Sequence, residues 1–195
     1  MKKAGWLILL GSQILIIVGF WLRYHINHPM GNQLTGDTAG RLLAWGRLAG
    51  LLAVSGILLQ LILIGRVKWV ERTFGLDRLT RLHHIVGFSL IALLIAHPTL
   101  VTSGHAMQAG TGLWDQFLDF CRTWEDVLPA AIGLALIIAA TAFSTAVLLK
   151  RVRYETWYAT HLVLYLALAL TFGHQLGCQL QAFPKHDRPL PRGGT

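Results

Sequence analysis

Residues 82–102 read LHHIVGFSLIALLIAHPTLVT, an apolar run with His83 near its start and His97 near its end. At about 1.5 Å of rise per residue, roughly 20 such residues cross the ~30 Å hydrocarbon layer of a membrane as a helix. An ionisable side chain is expensive in hydrocarbon, so a histidine inside a span marks a functional site by default. This run holds two. A second apolar run, residues 156–175, repeats the arrangement with His161 and His174.

The rest of the chain has the same character. Of its 195 residues, 54% are hydrophobic and 13% charged, against about 25% charged in ordinary soluble domains, which implies a multi-pass membrane protein in contact with lipid. A net charge of +8 raises nucleic acid as a partner. The basic residues, however, gather in short segments between apolar runs, as the positive-inside rule expects of cytoplasmic loops, and no nucleic-acid partner is expected. Cys121 and Cys178 make neither a zinc site nor a disulfide framework. Spacing alone leaves open whether they pair. No GxGxxG, Walker or His-Glu-x-x-His motif occurs.

Hydropathy predicts an all-α integral membrane bundle of about five transmembrane helices, over residues 4–22, 42–65, 82–102, 128–149 and 156–175. Met1-Lys2-Lys3 precedes the first run, and residues 19–23 (GFWLR) offer no small-residue cleavage site. An uncleaved helix with a cytoplasmic N-terminus follows. Residues 24–40 read as a polar loop, with His25, His28 and Pro29 as loop residues rather than ligands. Gly46, Gly50, Ser55 and Gly56 allow the second helix to pack closely.

Residues 66–81 carry Arg66, Lys68, Arg72, Arg78 and Arg81, and Lys150, Arg151 and Arg153 follow the fourth run. With Lys2 and Lys3, ten of the 17 Lys/Arg then lie inside, while residues 103–127 place Asp115, Asp119, Glu125 and Asp126 outside. The organisation expected is a first helix with its external loop over 1–40, the histidine-bearing membrane domain over 41–176, and a polar, poorly ordered tail over 177–195. The location expected is the cell (inner) membrane.

In this topology the third and fifth helices run in the same direction, so His83 lies at the depth of His161, and His97 at that of His174. Each pair can clamp one iron. Spacings of 14 and 13 residues separate the two levels by about 20 Å, enough for two haems in series. Fourteen residues at about 100° each fall ~40° short of four turns, so His83 and His97 share a face; thirteen fall ~140° short, so the fifth helix has to bend, loosen or end near Gly173. Two neutral imidazoles fill both axial positions of a b-type haem, which favours electron transfer over binding of oxygen at the metal. Arg47 suits a propionate of the outer haem, or is a snorkelling residue near a helix end; Arg81, Lys150 or Arg153 suit the inner one. His84 points ~100° away from His83 and reads as interfacial. His105 is expected past the helix end, in a loop role or touching an external acceptor.

At these residues the chain resembles the ferric reductase-like transmembrane domain shared by NADPH oxidases, ferric reductases and bacterial relatives. Leu82-His83-His84 and His97-Pro98 are similar to its third helix, Trp157-Tyr158-Ala159-Thr160-His161 to the entry of its fifth, and residues 70–78 (VERTFGLDR) to its bacterial members. The likeness covers about residues 40–176. It implies that His83 with His161 holds an inner haem b and His97 with His174 an outer one. The family usually continues into a sixth helix and cytoplasmic flavin and nicotinamide domains, for which these 195 residues have no counterpart. FAD and NAD(P)H are thus expected only through a partner, a cytoplasmic flavodehydrogenase, with the chain a haem-containing oxidoreductase component or a truncated form. The acceptor implied is ferric iron or oxygen; the alternatives are a periplasmic reductase fed by this chain, or a membrane scaffold without redox activity.

Overall fold

The computed structural model describes the backbone at residues 2–27, 34–150 and 154–182, and side chains there except at 2–10, 145–150, 154, 156–157 and 174–182. Among the described residues the regular elements are all helices: α1 (Lys2–Ile26), α2 (Thr38–Ile64), α3 (Lys68–Phe74), α4 (Leu76–Ala109), α5 (Leu113–Thr123), α6 (Val127–Lys150) and α7 (Tyr154–Ala182). Three described stretches, Thr38–Ile64, Leu76–Ala109 and Val127–Ser144, are long and apolar enough to cross a membrane, and Tyr158–Gly173 is a shorter apolar stretch. Large side chains such as Leu15, Phe20, Leu58, Phe88 and Leu166 lie exposed on the helices. In water such a surface is an aggregation liability; in a bilayer it is the face turned to lipid. The molecule is an all-α membrane protein.

The helices outrun the apolar runs that announce them. Hydropathy marks where hydrocarbon ends, whereas a helix ends where its terminal backbone groups find other partners. Thus α4 begins six residues before 82, with Asp77, Arg78 and Arg81 on its first turns, and ends at Gly110, whose φ of 67° is left-handed and suits glycine. At the start of α2, the Asp37 side chain accepts from the Gly40 N–H at 2.9 Å. Three sequence expectations change accordingly. His25 belongs to the last turn of α1, 1% exposed and packed between the rings of Trp21 and Tyr24, so it is not a loop residue; His28 and Pro29 lie outside the described residues. His105 lies within α4 rather than past its end. The stretch 103–127 contains α5, where apolar Leu113, Trp114, Phe117, Leu118 and Phe120 alternate with Asp115, Asp119 and Arg122 at helical spacing.

The chain divides into two compact units, Met1–Phe117 and Leu118–Thr195, a boundary that falls inside the 41–176 domain expected from sequence. In the first, α2 and α4 pack antiparallel along a stripe of small residues. A Cβ added at Gly104 would stand 2.7 Å from Leu43, one at Gly46 2.8 Å from Val101, and one at Gly56 3.1 Å from Leu90. Side chains at Gly104 and Gly46 would hold the helices apart, whereas at Gly56 the Leu90 tip can give way. Against α2 lies α1, joined by the Trp21 indole N–H to the Ala44 carbonyl at 2.7 Å and by Gln13 to the Ser55 hydroxyl at 3.0 Å. Short α3 is anchored at the far end of α2 and α4 by buried Leu63, Val70 and Leu79. Gly75, with φ 79°, makes the corner between α3 and α4 that other residues adopt only under strain.

In the second unit α6 and α7 form an antiparallel pair. Gly133 faces the Ala167 carbonyl so closely that a Cβ would stand 2.8 Å from that oxygen. Helix α7 runs without a break through Gly173 to Ala182. It therefore ends neither near Gly173 nor at residue 175, so a bend or loosening within α7 is what would turn His174 to the face of His161, and the first six residues of the expected tail are helical.

Candidate functional site

The seat of His97 is built by α2. Gly50 leaves the space the imidazole fills, since a Cβ there would stand 2.7 Å from Nδ1 and 2.9 Å from Cε1. Gly46, one turn earlier, lets the two backbones approach, and its carbonyl oxygen lies 2.8 Å from His97 Nδ1. A carbonyl oxygen can only accept, so the proton of this bond sits on Nδ1. The other ring nitrogen, Nε2, then keeps its lone pair in the neutral tautomer. This is the arrangement by which metal-ligating histidines are usually oriented. Pro98 follows directly and removes the N–H that would have bonded the Leu94 carbonyl, a common device for bending a helix.

Arg47 follows Gly46 on α2. Its guanidinium carbon lies 5.8 Å from the centroid of the Tyr24 ring, and its charge acts on His105. Its Nη1 is buried with no hydrogen-bond partner among the described residues. A buried cationic donor without an acceptor is costly, and an anion is its natural complement. A snorkelling arginine would instead hold all its nitrogens in the wet layer.

His83 lies 14 residues before His97 on the same uninterrupted helix, about 21 Å away along the axis. It is half-buried, and its backbone carbonyl accepts from the Gln60 side-chain amide of α2 at 3.0 Å. Adjacent His84 is exposed, and its ring lies edge-on to that of His83 at 6.0 Å. In the second unit His161 is half-buried on α7, while His174 lies on the same helix with its side chain outside the description. Among the expected partners of an inner propionate, Arg81 is exposed at the start of α4; Lys150 ends α6 with its side chain undescribed, and Arg153 lies outside the described residues. The structure thus joins Gly46, Gly50 and His97 into one cluster, sets the Arg47 side chain over Tyr24, and attaches His83 to α2 through Gln60. Sequence reading picked out the glycines for close packing and missed that two of them seat His97. Their four-residue spacing on a helix bearing Arg47 was the available signal.

Among the described residues no three His, Cys, Asp or Glu side chains gather as a metal site; a haem iron needs only two axial imidazoles. No curated protein and no solved structure matches the chain. The family described as ferric reductase like transmembrane component does match, over residues 49–172, a stretch that includes His83, His97 and His161 and stops just short of His174 and Arg47. The chain belongs to the family of ferric reductase-like transmembrane components.

Proposed function

We propose that this chain carries single electrons across a cell membrane, holding two b-type haems one above the other, the inner by His83 and His161 and the outer by His97 and His174. The main support is the pair His83 and His97 on one face of unbroken α4, with His97 held by the Gly46 carbonyl in the tautomer that presents Nε2. A haem so ligated is a one-electron carrier with no open coordination position.

The residues divide the work. Gly46 and Gly50 admit and orient the outer imidazole. Arg47, whose Nη1 is buried without a partner among the described residues, would hold a propionate carboxylate by a charge-assisted bond. Lipid-facing Leu58, Phe88 and Leu166 keep water from the helices, as one-electron transfer across hydrocarbon requires. The N-terminus and α3 lie on the cytoplasmic side, where Lys68, Arg72, Arg78 and Arg81 attract an acidic flavodehydrogenase that supplies electrons from NAD(P)H through FAD. The α2 N-terminus, His105 and α5 face the outer side, toward ferric iron, oxygen or a periplasmic acceptor protein. The deciding experiment is an absorbance spectrum of the purified chain, oxidised and reduced, with haem counted per chain: two low-spin b haems are expected, and none in folded protein would refute the proposal.

A further inference from the structure

The interval between the two histidines of α4 recurs on α2. His97 is met by Gly46, and His83, 14 residues earlier, is met by Gln60, 14 residues after Gly46. Because the helices pack antiparallel, equal intervals keep both meetings on one face of each helix and about 21 Å apart. At the outer level the α2 group is a backbone carbonyl, brought close by the absence of a Cβ. At the inner level it is a carboxamide. Gly87 makes room for it, since a Cβ there would stand 2.9 Å from Gln60 Nε2. The Nε2 donor is spent on the His83 carbonyl at 3.0 Å, which fixes which end of the amide is oxygen. That oxygen, Oε1, is buried and has no hydrogen-bond partner among the described residues. A carboxamide inside an apolar helix with half its capacity unused calls for an explanation.

We infer that Gln60 is the positioning residue of the inner haem ligand: its amide oxygen accepts the Nδ1–H of His83 when His83 binds iron, the role that the Gly46 carbonyl plays for His97. The inference rests on the two-haem proposal above. An acceptor at Nδ1 makes an imidazole a better donor to iron and stabilises the ferric state; removing it raises the midpoint potential of that haem and of no other.

The test is a redox titration of the purified chain with both haems bound, followed by absorbance and by the low-spin ferric EPR signals. The inner haem is identified as the one missing from His83→Ala. Gln60→Met keeps the volume and discards the acceptor, and should shift the inner haem to higher potential and move its largest g value while the outer haem keeps its wild-type values. Gln60→Glu retains an acceptor oxygen and should not reproduce the rise. Should the methionine variant fail to insert, Gln60→Asn, which withdraws the same amide by one methylene, is expected to show the rise in its place. Wild-type potentials and g values for the inner haem in both Gln60→Met and Gln60→Asn, equal shifts of both haems, or a rise in Gln60→Glu matching that in Gln60→Met would each overturn the role of Gln60. Wild-type protein without haem would instead overturn the two-haem proposal, so the two failures are told apart before any variant is made.

Discussion

The sharpest consequence of the His97 seat is the effect of one methyl group at position 50. In Gly50→Ala the new Cβ would stand 2.7 Å from His97 Nδ1 and 2.9 Å from Cε1, where non-bonded carbon contacts settle near 3.5–4.0 Å. The ring must retreat by about 0.8 Å. The bond from Nδ1 to the Gly46 carbonyl, now 2.8 Å, would then stretch beyond the ~3.2 Å at which such bonds hold. Losing it costs about 1 kcal/mol and the overpacking a further 1–3 kcal/mol. The imidazole can swing away when it ligates nothing, so the penalty falls on the haem-bound state. At 1.4 kcal/mol per tenfold, the outer haem should bind about 30- to 700-fold more weakly. Alanine is the better helix former by about 1 kcal/mol, so this loss should appear in protein that folds and inserts at least as well as wild type. The assay is haem per chain with redox titration of whatever remains. One haem is expected in Gly50→Ala and two in the control Gly56→Ala, whose Cβ meets only the mobile tip of Leu90 at 3.1 Å. Two haems at wild-type potentials in Gly50→Ala would refute the seat.

Replacing His83 or His161 by alanine should remove one haem, and replacing His97 or His174 the other; spectra in which His83→Ala and His97→Ala lose the same haem would break the pairing. Arg47→Gln removes a cation beside the outer haem and should lower that haem's potential while sparing the inner one, because the ferric form, carrying the extra positive charge, gains relative stability. Unchanged potentials would make Arg47 a packing residue only. The 195-residue chain, purified as such, should have its haems reduced by dithionite and left oxidised by NADPH, since a hydride must be split into single electrons by a flavin before iron accepts them. Rapid reduction by NADPH alone would reveal a nicotinamide site within these residues.

Hydropathy made the membrane class and the approximate helices legible because it reports the solvent each residue prefers. It could not report helix ends, which depend on capping and on hydrogen bonds beyond the hydrocarbon. Asp37 stands before the second run as an N-cap signal, and Gly110 follows Ala109 as a stop signal, yet neither lies where hydropathy changes. His25, expected in a loop, is packed in α1 against Trp21 one turn earlier and the adjacent Tyr24, an effect that a polar composition conceals. Similarly α5 has its apolar residues three and four apart, a helical signal outweighed by its own two acids and by Glu125 and Asp126 just after it.

At the site, residue type and spacing were legible and pairing between helices was not. The 14-residue interval between His83 and His97 is a property of one strand of sequence, visible at once as a shared face. That Gly46 meets His97 depends on the register of α2 against α4, which no single run contains. Register here follows from volume: Gly46 lets α2 meet the α4 backbone at Val101 and Gly50 admits the His97 ring, and sliding by one turn would set Leu42 against Val101 or Val54 against His97. Once glycines fix that register, the interval on α4 is copied onto α2, and residue 60 must answer to His83. A polar side chain at that position, alone in an apolar stretch, is therefore set by register against the His83 backbone.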